Sequence, residues 1–388
     1  MAVPPDHRRM KRDLARLIGI DTQNPPGREA EAADFVGEQL AAVGFDIVRD
    51  AFWPPRVNVI ATMNNGPGPV FAFNTHMDTV PVGEGWTSDA LVMRETDGRL
   101  YGRGACDCKG PLAAMLEAMR MLAADRSGWS GTLLGVFVAD EEVGSAGARH
   151  FVSTAPRIDF AVIGEPTSNT TFAAHKGSLR PLVRVRGVTA HSGSPHLGEN
   201  AIYRAGEVLA MIAAFHETDV SRRTHPLVGQ ASLTVTRISG GHADNVIPDA
   251  CDLLLDRRMI PGEDEDAVKA EIAALLAEAN RRHGLRAEII EYRTTTGGAT
   301  ETPVDHPIVR ASLAACRAHG TADPGPFGLQ GACDLVHFNR IGARGVVVGP
   351  GNIAAAHKPD EFVPEAEFLT SSLIYRDIAL AMLRDEAR

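Results

Sequence analysis

The segment NTHMDTV, from Asn74 to Val80, places a histidine and an aspartate two residues apart at the end of an apolar run. Side chains two residues apart in an extended chain face the same way, so His76 and Asp78 can meet. An imidazole binds metal ions, and a neighbouring carboxylate can fix its tautomer and ring orientation. Taken alone, such a pair is more often a loop histidine beside a turn aspartate.

Acidic residues follow two further apolar runs. The residues Asp140–Glu142 follow the run Thr132–Ala139, and Glu165 follows Phe160–Gly164. Three consecutive carboxylates repel one another unless water solvates them or a cation neutralises them. A solvated acidic turn would account for the first segment and a helix cap for the second, so neither specifies a site by itself.

Two more candidates stand in loops. Asp107 lies in GRGACDCKG between Cys106 and Cys108, and His357 lies in the loop that follows the apolar run Gly345–Val348. In an extended segment both cysteines face away from the aspartate between them. We therefore expect both thiols to pack behind a site that Asp107 faces. By itself, His357 would be an ordinary surface histidine.

These segments together supply two imidazoles and three carboxylates, from His76, Asp107, Glu142, Glu165 and His357. Nitrogen and carboxylate ligands without thiolate suit zinc, with cobalt and manganese as alternatives. The three carboxylates balance most of the charge of two divalent ions, and Asp107 could bridge them. Two-metal sites hold their ions about 3.5–4 Å apart and activate a shared water. The sequence therefore predicts two divalent metal ions as cofactors.

Short apolar runs that alternate with helical patterns would position these residues. We predict strands at Val57–Met63, Pro69–Thr75, Thr132–Ala139 and Phe160–Gly164, and a helix at Lys109–Ala124. Near-continuous apolar strands separated by helices indicate an α/β sheet that is covered on both faces. Open sheets of this class bind ligands at the carboxyl ends of their strands, where the polar segments lie.

The pattern changes near Gly177. Beyond it the predicted order β-α-β-β-α-β indicates an antiparallel α+β layer, after which the chain returns to a helix, a strand and a final helix at Pro364–Arg384. The predicted fold class is α/β, with a mixed sheet flanked by helices and an inserted α+β domain that has a four-stranded antiparallel sheet. The predicted boundaries are 1–177 and 294–388 for the catalytic metal-binding domain and 178–293 for the insert.

Composition restricts the class of protein. The chain has 388 residues, which favours two domains, and a formal net charge of −10, which disfavours a nucleic-acid partner. No apolar run is long enough to span a bilayer, and the amphipathic start lacks a signal-peptide core, so no membrane partner is expected. Five scattered cysteines argue against a disulfide framework and favour a cytoplasmic location.

The chain resembles the cocatalytic zinc amidohydrolases and peptidases, the family of acetylornithine deacetylase, succinyl-diaminopimelate desuccinylase, aminoacylase and glutamate carboxypeptidase. The matching segments follow the family's order from Thr75 to Val363 and cover almost the whole chain. They are THMDTVP, YGRGACDCKGPLAAML, DEEVGSAG, IGEPT, GVTAHSGSPHLGENAI, NVIPD with the following DRR, and GPGNIAAAHKPDEFV.

The resemblance implies that five residues bind two metal ions: His76 and Glu165 one ion, Glu142 and His357 the other, and Asp107 both. It implies that Asp78 supports the first imidazole. Glu141 would be the general base, which takes a proton from the bridging water and passes it to the leaving amine. The resemblance also implies a cis peptide bond after the bridging aspartate.

In relatives the inserted domain usually mediates dimerisation and acts as a lid. The resemblance therefore implies the same role for the insert of this chain, and the expected assembly is a homodimer. His191 lies in the pattern G-x-x-x-H-x-x-x-P between Gly187 and Pro195 and would stabilise the developing oxyanion in the partner's active site. Asn245 and Arg258 match substrate-binding positions, and the arginine suits bidentate recognition of a carboxylate. Alternatively, His191 could be an ordinary polar histidine in a loop, and Arg258 could be a charged residue on the surface of a strand.

Two segments depart from the family pattern. Cys108 stands where relatives commonly have methionine, and Gly331–Phe338 reads GACDLVHF where relatives often have Gly-Thr-Asp or Gly-Thr-Glu. The second segment lies near the substrate pocket in relatives, so His337 could contact substrate or simply pack. The departures bear on the identity of the substrate rather than on the metal chemistry.

We therefore expect a metal-dependent hydrolase that cleaves the amide bond of an N-acyl-L-amino acid, as acetylornithine deacetylase or succinyl-diaminopimelate desuccinylase does. A dipeptidase or carboxypeptidase with the same machinery and a dipeptide substrate is the first alternative. A metal-binding dimer without catalysis is the second. Glu141 argues against that last alternative, because a degenerate relative should have lost its base or a ligand.

Overall fold

The computed structural model describes residues 3–383. The helices α1 to α9 run over His7–Ile18, Ala30–Ala41, Lys109–Ala124, Ala146–Thr154, Ala201–Thr218, Glu265–His283, Pro307–Ala318, Leu335–Arg340 and Glu365–Met382. The strands β1 to β20 run over Asp46–Trp53, Arg56–Asn65, Val70–His76, Arg94–Thr96, Arg99–Tyr101, Gly131–Val138, Phe160–Ile163, Phe172–His175, Gly177–Arg186, Ala190–His191, Thr224–His225, Gly229–Gln230, Ser232–Gly240, Val246–Ile247, Ala250–Met259, Ala287–Arg293, Thr300–Glu301, Phe327–Leu329, Arg344–Val347 and Phe362–Pro364. The predicted end of the last helix, Arg384, lies outside the described residues.

The larger sheet is mixed. Its strands lie in the order β1-β2-β6-β3-β7-β19-β8-β17, and β18 pairs with β8. The pairs β3–β6, β3–β7 and β7–β19 are parallel, whereas β1–β2 and β2–β6 are antiparallel. The central parallel strands are almost entirely buried, which explains their near-continuous apolar sequences. The prediction of an α/β fold with a mixed sheet flanked by helices is therefore confirmed.

Helix α3 leads directly from the loop that contains Asp107. Most of its residues are buried, and it packs against α1 and α9. Its first residue, Lys109, is also buried, and Nζ donates a hydrogen bond to the carbonyl oxygen of Ile20 at 2.8 Å. A buried amino group needs such an acceptor, so this bond fixes the start of the helix beside the candidate site.

The smaller sheet is four-stranded and antiparallel, in the order β13-β15-β9-β16. Helices α5 and α6 pack against it. Successive residues of β15 alternate between buried and half-buried, as expected for a sheet with one face on a helical layer. The predicted four-stranded antiparallel sheet is confirmed.

The chain forms two compact units. Among the described residues, the larger unit comprises residues 3–174, 301–328 and 333–383 and contains nearly all of the mixed sheet. The smaller unit comprises His175–Thr300 and Leu329–Ala332 and contains the four-stranded sheet. None of the helices within residues 3–383 has the length and apolar character needed to cross a membrane.

Candidate active site

Three parallel strands of the larger unit end at one edge of the mixed sheet, and a candidate residue lies at or after each end. His76 is the last residue of β3, the acidic run follows Val138 at the end of β6, and Glu165 follows the end of β7. Asp140 has a φ of 69°, in the left-handed region, so the chain turns sharply where the acidic run begins. This edge is where open α/β sheets bind their ligands.

Four residues form what we call the inner donor group: His76, Asp107, Cys108 and Glu165. One ligand atom from each lies within 4.8 Å of the others, and all four residues are buried. The Nε2 atom of His76 is 3.1 Å from Oδ1 of Asp107. The sulfur of Cys108 is 2.9 Å from the same oxygen and 3.2 Å from Oε2 of Glu165.

Three residues form the outer donor group: Asp107, Glu142 and His357. The Nε2 atom of His357 is 3.2 Å from Oδ2 of Asp107 and 3.1 Å from Oε2 of Glu142. The side chain of His357 is 50% exposed, in contrast to the buried imidazole of the inner donor group. Asp107 belongs to both groups and presents a different carboxylate oxygen to each, which is the geometry of a bridging ligand.

The structure corrects the expectation that both cysteines face away from Asp107. Cys106 does so, because its sulfur lies 3.3 Å from the carbonyl oxygen of Asn352. Cys108 instead joins the inner donor group. The expectation assumed an extended segment, but this stretch forms a turn that leads into α3, where the alternation of a strand does not hold. The peptide bond between Asp107 and Cys108 is cis, as the resemblance implies.

Asp78 contacts the imidazole of His76 through its backbone. Nδ1 of His76 is 2.8 Å from the carbonyl oxygen of Asp78, whereas the nearest carboxylate oxygen is 3.6 Å away. The carboxylate instead accepts hydrogen bonds from the backbone N–H groups of Glu141 and Glu142, at 3.1 and 3.2 Å. When Nδ1–H donates to the carbonyl, Nε2 keeps a lone pair directed at Asp107.

A buried polar network lies behind Asp78. The side-chain amide of Asn24 donates to Asp78 at 2.8 Å and to Asp140 at 3.1 Å. Arg56 donates to the amide oxygen of Asn24 at 2.6 Å and forms ion pairs with Glu29 and Asp140. Sequence reasoning missed this network, because the prolines after Asn24 signal a turn but nothing nearby links that turn to the acidic motifs.

Glu361 fixes the segment that carries the bridging candidate. Its Oε1 accepts hydrogen bonds from the backbone N–H groups of Cys106 and Asp107, at 2.9 and 3.0 Å. Its other oxygen pairs with the guanidinium group of Arg103, and both side chains are buried. The two partners thus satisfy each other in the interior, which a buried charge requires. The loop of His357 is thereby tied to the loop of Asp107.

The charges of the donor groups shift the pKa of their members. Burial and the carboxylate of Asp107 raise the pKa of Glu165 to about 8 and that of Glu142 to about 6. Burial would also raise the pKa of Asp107, but hydrogen bonds with the imidazoles of His357 and His76 hold it below its ordinary value. Hydrogen bonds to Asp107 and Glu142 raise the pKa of His357 to about 10. Buried carboxylates that disfavour one another's charge need a cation nearby.

The donor set fits metal ions. When Nδ1 of His76 carries the proton, its Nε2 and Oδ1 of Asp107 are both acceptors 3.1 Å apart, and a cation between them would bind both. Imidazole and carboxylate donors of this kind bind zinc and related transition metals. The residues present therefore suit one metal ion in each donor group.

Glu141 precedes the outer-group carboxylate in the chain. Burial raises its pKa well above the ordinary value, and the charges of Glu165 and Asp334 add to this effect. Asp334 is itself buried, and burial raises its pKa to about 6. It belongs to the divergent segment Gly331–Phe338, in which His337 is also buried. Sequence reasoning singled out that segment but did not identify its aspartate as a neighbour of the candidate base.

The three remaining candidates belong to the smaller unit. The residue after His191 donates its N–H to the carbonyl oxygen of Asn245 at 2.9 Å, so the structure brings these two candidates together. The guanidinium group of Arg258 bonds to Asp256 at 2.7 Å. Burial and the nearby charge of Arg258 lower the pKa of Lys176, so two cationic side chains lie close to each other in this unit.

Comparisons with known proteins identify the family of this chain. Residues 72–381 match the family model of peptidase family M20/M25/M40. The chain is 34% identical over 371 residues to acetylornithine deacetylase from Myxococcus xanthus, and the match covers 92% of each chain. These matches confirm the family resemblance found in the sequence.

Solved structures share the fold. A tripeptidase from Staphylococcus aureus aligns with a TM-score of 0.81 at 21% identity, over 98% of this chain and 100% of that chain. A dinuclear metal binding peptidase of the M20 family from Bacillus subtilis aligns with a TM-score of 0.74 at 19% identity, over 97% and 98% of the two chains. The chain therefore belongs to peptidase family M20/M25/M40 and is a metal-dependent hydrolase of amide bonds.

Proposed function

We propose that this protein hydrolyses the amide bond of an N-acyl-L-amino acid and releases a free amino acid and a carboxylate. Similarity to acetylornithine deacetylases over about nine-tenths of both chains supports an acylated amino acid as the substrate class. The observation that carries the proposal is Asp107, because its two carboxylate oxygens face two separate donor groups.

We propose zinc as the resident metal, with cobalt or manganese as ions that suit the same nitrogen and oxygen donors. His76 and Glu165 would hold one ion, Glu142 and His357 the other, and Asp107 both. When bound, such ions polarise an amide carbonyl and lower the pKa of water towards about 7.

In this proposal Glu141 takes a proton from the attacking water and returns it to the nitrogen of the leaving amine. Burial raises its pKa, which makes the carboxylate a stronger base. Asp78 accepts hydrogen bonds from the backbone of both Glu141 and Glu142, so it holds the base at a fixed position beside a metal ligand.

We further propose that residues 178–293 form a domain that mediates homodimerisation and closes over the site as a lid. His191 of one protomer would donate a hydrogen bond to the developing oxyanion in the other. Asn245 and Arg258 would bind the substrate, and the positive charges of Arg258 and Lys176 suit a carboxylate group. The five unpaired, buried cysteines support a cytoplasmic location.

A substrate screen on metal-reconstituted protein tests the proposal. Metal-free protein is loaded with zinc, cobalt or manganese and assayed with N-acetyl, N-succinyl and N-formyl amino acids and with dipeptides. We expect the highest kcat/KM for an N-acyl amino acid and no turnover without metal. A higher kcat/KM for dipeptides would assign the peptidase alternative instead, and turnover by metal-free protein would refute the proposed mechanism.

A further inference from the structure

Cys108 occupies a position that the proposed ligand set does not use. Its sulfur lies 2.9 Å from Asp107 and 3.2 Å from Glu165, and its side chain is completely buried. The neighbouring Cys106 is equally buried but faces Asn352, on the other side of the segment. Only one of the two thiols therefore belongs to the inner donor group.

We propose that Cys108 is a ligand of the metal ion in the inner donor group. This inference rests on the proposed metal site but adds a sulfur donor to a centre otherwise made of imidazoles and carboxylates. The inner ion would then have four protein ligands, from His76, Asp107, Glu165 and Cys108. The outer ion would have three.

The spacing of the donor atoms is close to that of a metal site. Zinc–sulfur bonds are about 2.3 Å long and zinc–oxygen bonds about 2.0–2.2 Å, so sulfur and oxygen ligands of one tetrahedral ion stand roughly 3.5–3.7 Å apart. The sulfur of Cys108 is 3.2 Å from Oε2 of Glu165 and 2.9 Å from Oδ1 of Asp107, so each separation would lengthen by less than about 1 Å on metal binding.

A thiolate from Cys108 would join the carboxylates of Asp107, Glu142 and Glu165 as an anionic ligand of the two divalent ions. On binding, the S–H bond breaks, a sulfur electron pair forms the bond to the metal, and the proton leaves to solvent. Four protein ligands close a zinc site, whereas three leave a position open for water or substrate. The outer ion would therefore be the one that meets the substrate.

Cobalt spectroscopy tests this inference on the full chain. Metal-free protein is titrated with Co²⁺, and visible bands of the bound ion are recorded together with the near-ultraviolet band that arises only from thiolate-to-cobalt charge transfer. We expect the near-ultraviolet band to appear with the first equivalent in the unmodified protein. It should disappear in Cys108→Ser and persist in the matched control Cys106→Ser.

X-ray absorption on the zinc-loaded protein gives a second measurement that needs no variant. We expect one sulfur scatterer at about 2.3 Å, shared over two zinc ions. If cobalt binds with visible bands but without charge transfer, or zinc shows only nitrogen and oxygen neighbours, Cys108 is not a ligand and the proposed function stands. If the protein binds neither metal, both the inference and the proposed metal site are wrong.

Discussion

The inner and outer donor groups share Asp107, and each adds one histidine and one glutamate, but they differ in burial and in the number of donor residues. The inner group has four donor residues, all buried, whereas the outer group has three, including a half-exposed histidine. A buried, fully ligated site retains its ion, and an accessible site with fewer ligands exchanges water and substrate. In the proposed two-metal site, burial and ligand number would therefore specialise the two positions, with the inner ion anchored and the outer ion available for chemistry.

The largest effect should come from the residue that belongs to both groups. Asp107→Asn removes the bridging charge, so we expect kcat/KM to fall on the order of 10⁴-fold, equivalent to losing the several kcal/mol that metal polarisation supplies. Metal analysis should show fewer than two ions per chain. The exposed turn residue Asp97 provides a control, since Asp97→Asn should leave both quantities unchanged. Two tightly held ions in Asp107→Asn would contradict the bridging assignment.

Glu141→Gln should separate catalysis from metal binding. We expect kcat to fall about 10³-fold, within the range for loss of a general base, while two metal ions stay bound. Turnover of an N-acyl amino acid and metal content are measured on the same preparation. If the variant keeps full activity, Glu141 is not the base. If the variant loses an ion, Glu141 is a metal ligand.

The two histidines offer the most direct test of the comparison. His76→Ala should weaken metal binding in the buried inner group, and His357→Ala should weaken it in the accessible outer group, each by more than about 100-fold because a direct ligand is lost. Competition with a chelator should remove the outer ion from the unmodified protein first. If both ions leave together with equal affinity, the proposed specialisation is absent.

Asp78→Asn should have the smallest of these effects. The variant keeps the backbone carbonyl that contacts His76 but loses one charged acceptor for the N–H groups of Glu141 and Glu142. We expect a 10- to 100-fold decrease in kcat with the inner ion retained. Selective loss of the inner ion would mean that the carboxylate, rather than the carbonyl, supports the imidazole.

The strand-end positions of the candidate ligands could be predicted from sequence because the hydrophobic pattern is unambiguous there. Buried parallel strands read as continuous apolar runs, and a polar residue at the end of such a run must lie at the edge of the sheet. The helix Lys109–Ala124 has the bounds that its apolar spacing predicts. The five proposed ligands, four of them separated from the next by at least 23 residues, were therefore singled out from local patterns before the family resemblance assigned their roles, and the structure brings them together in the two donor groups.

Local patterns failed where the chain is irregular or where contacts span long distances. The direction of the Cys108 side chain is set by a turn. The alternation of side chains along a strand does not apply there, so it wrongly predicted that the thiol faces away from Asp107. Asn24 and Arg56 reach Asp78 and Asp140 only through tertiary packing, so neither carries a sequence signal of its role. Strand β1 also went unpredicted, because its largely exposed side chains do not form an apolar run.

The hydrogen bonds from Glu361 to the backbone beside Asp107 have a consequence for the order of biosynthesis. They join residues 254 and 255 positions apart, so Asp107 leaves the ribosome long before the side chain that fixes its segment exists. His357, the last residue of the outer donor group, emerges only four residues ahead of that anchor. A nascent chain therefore carries four of the five proposed ligands before the last proposed ligand and the anchor of the Asp107 segment have been made, so both donor groups are completed only after residue 361 has been added.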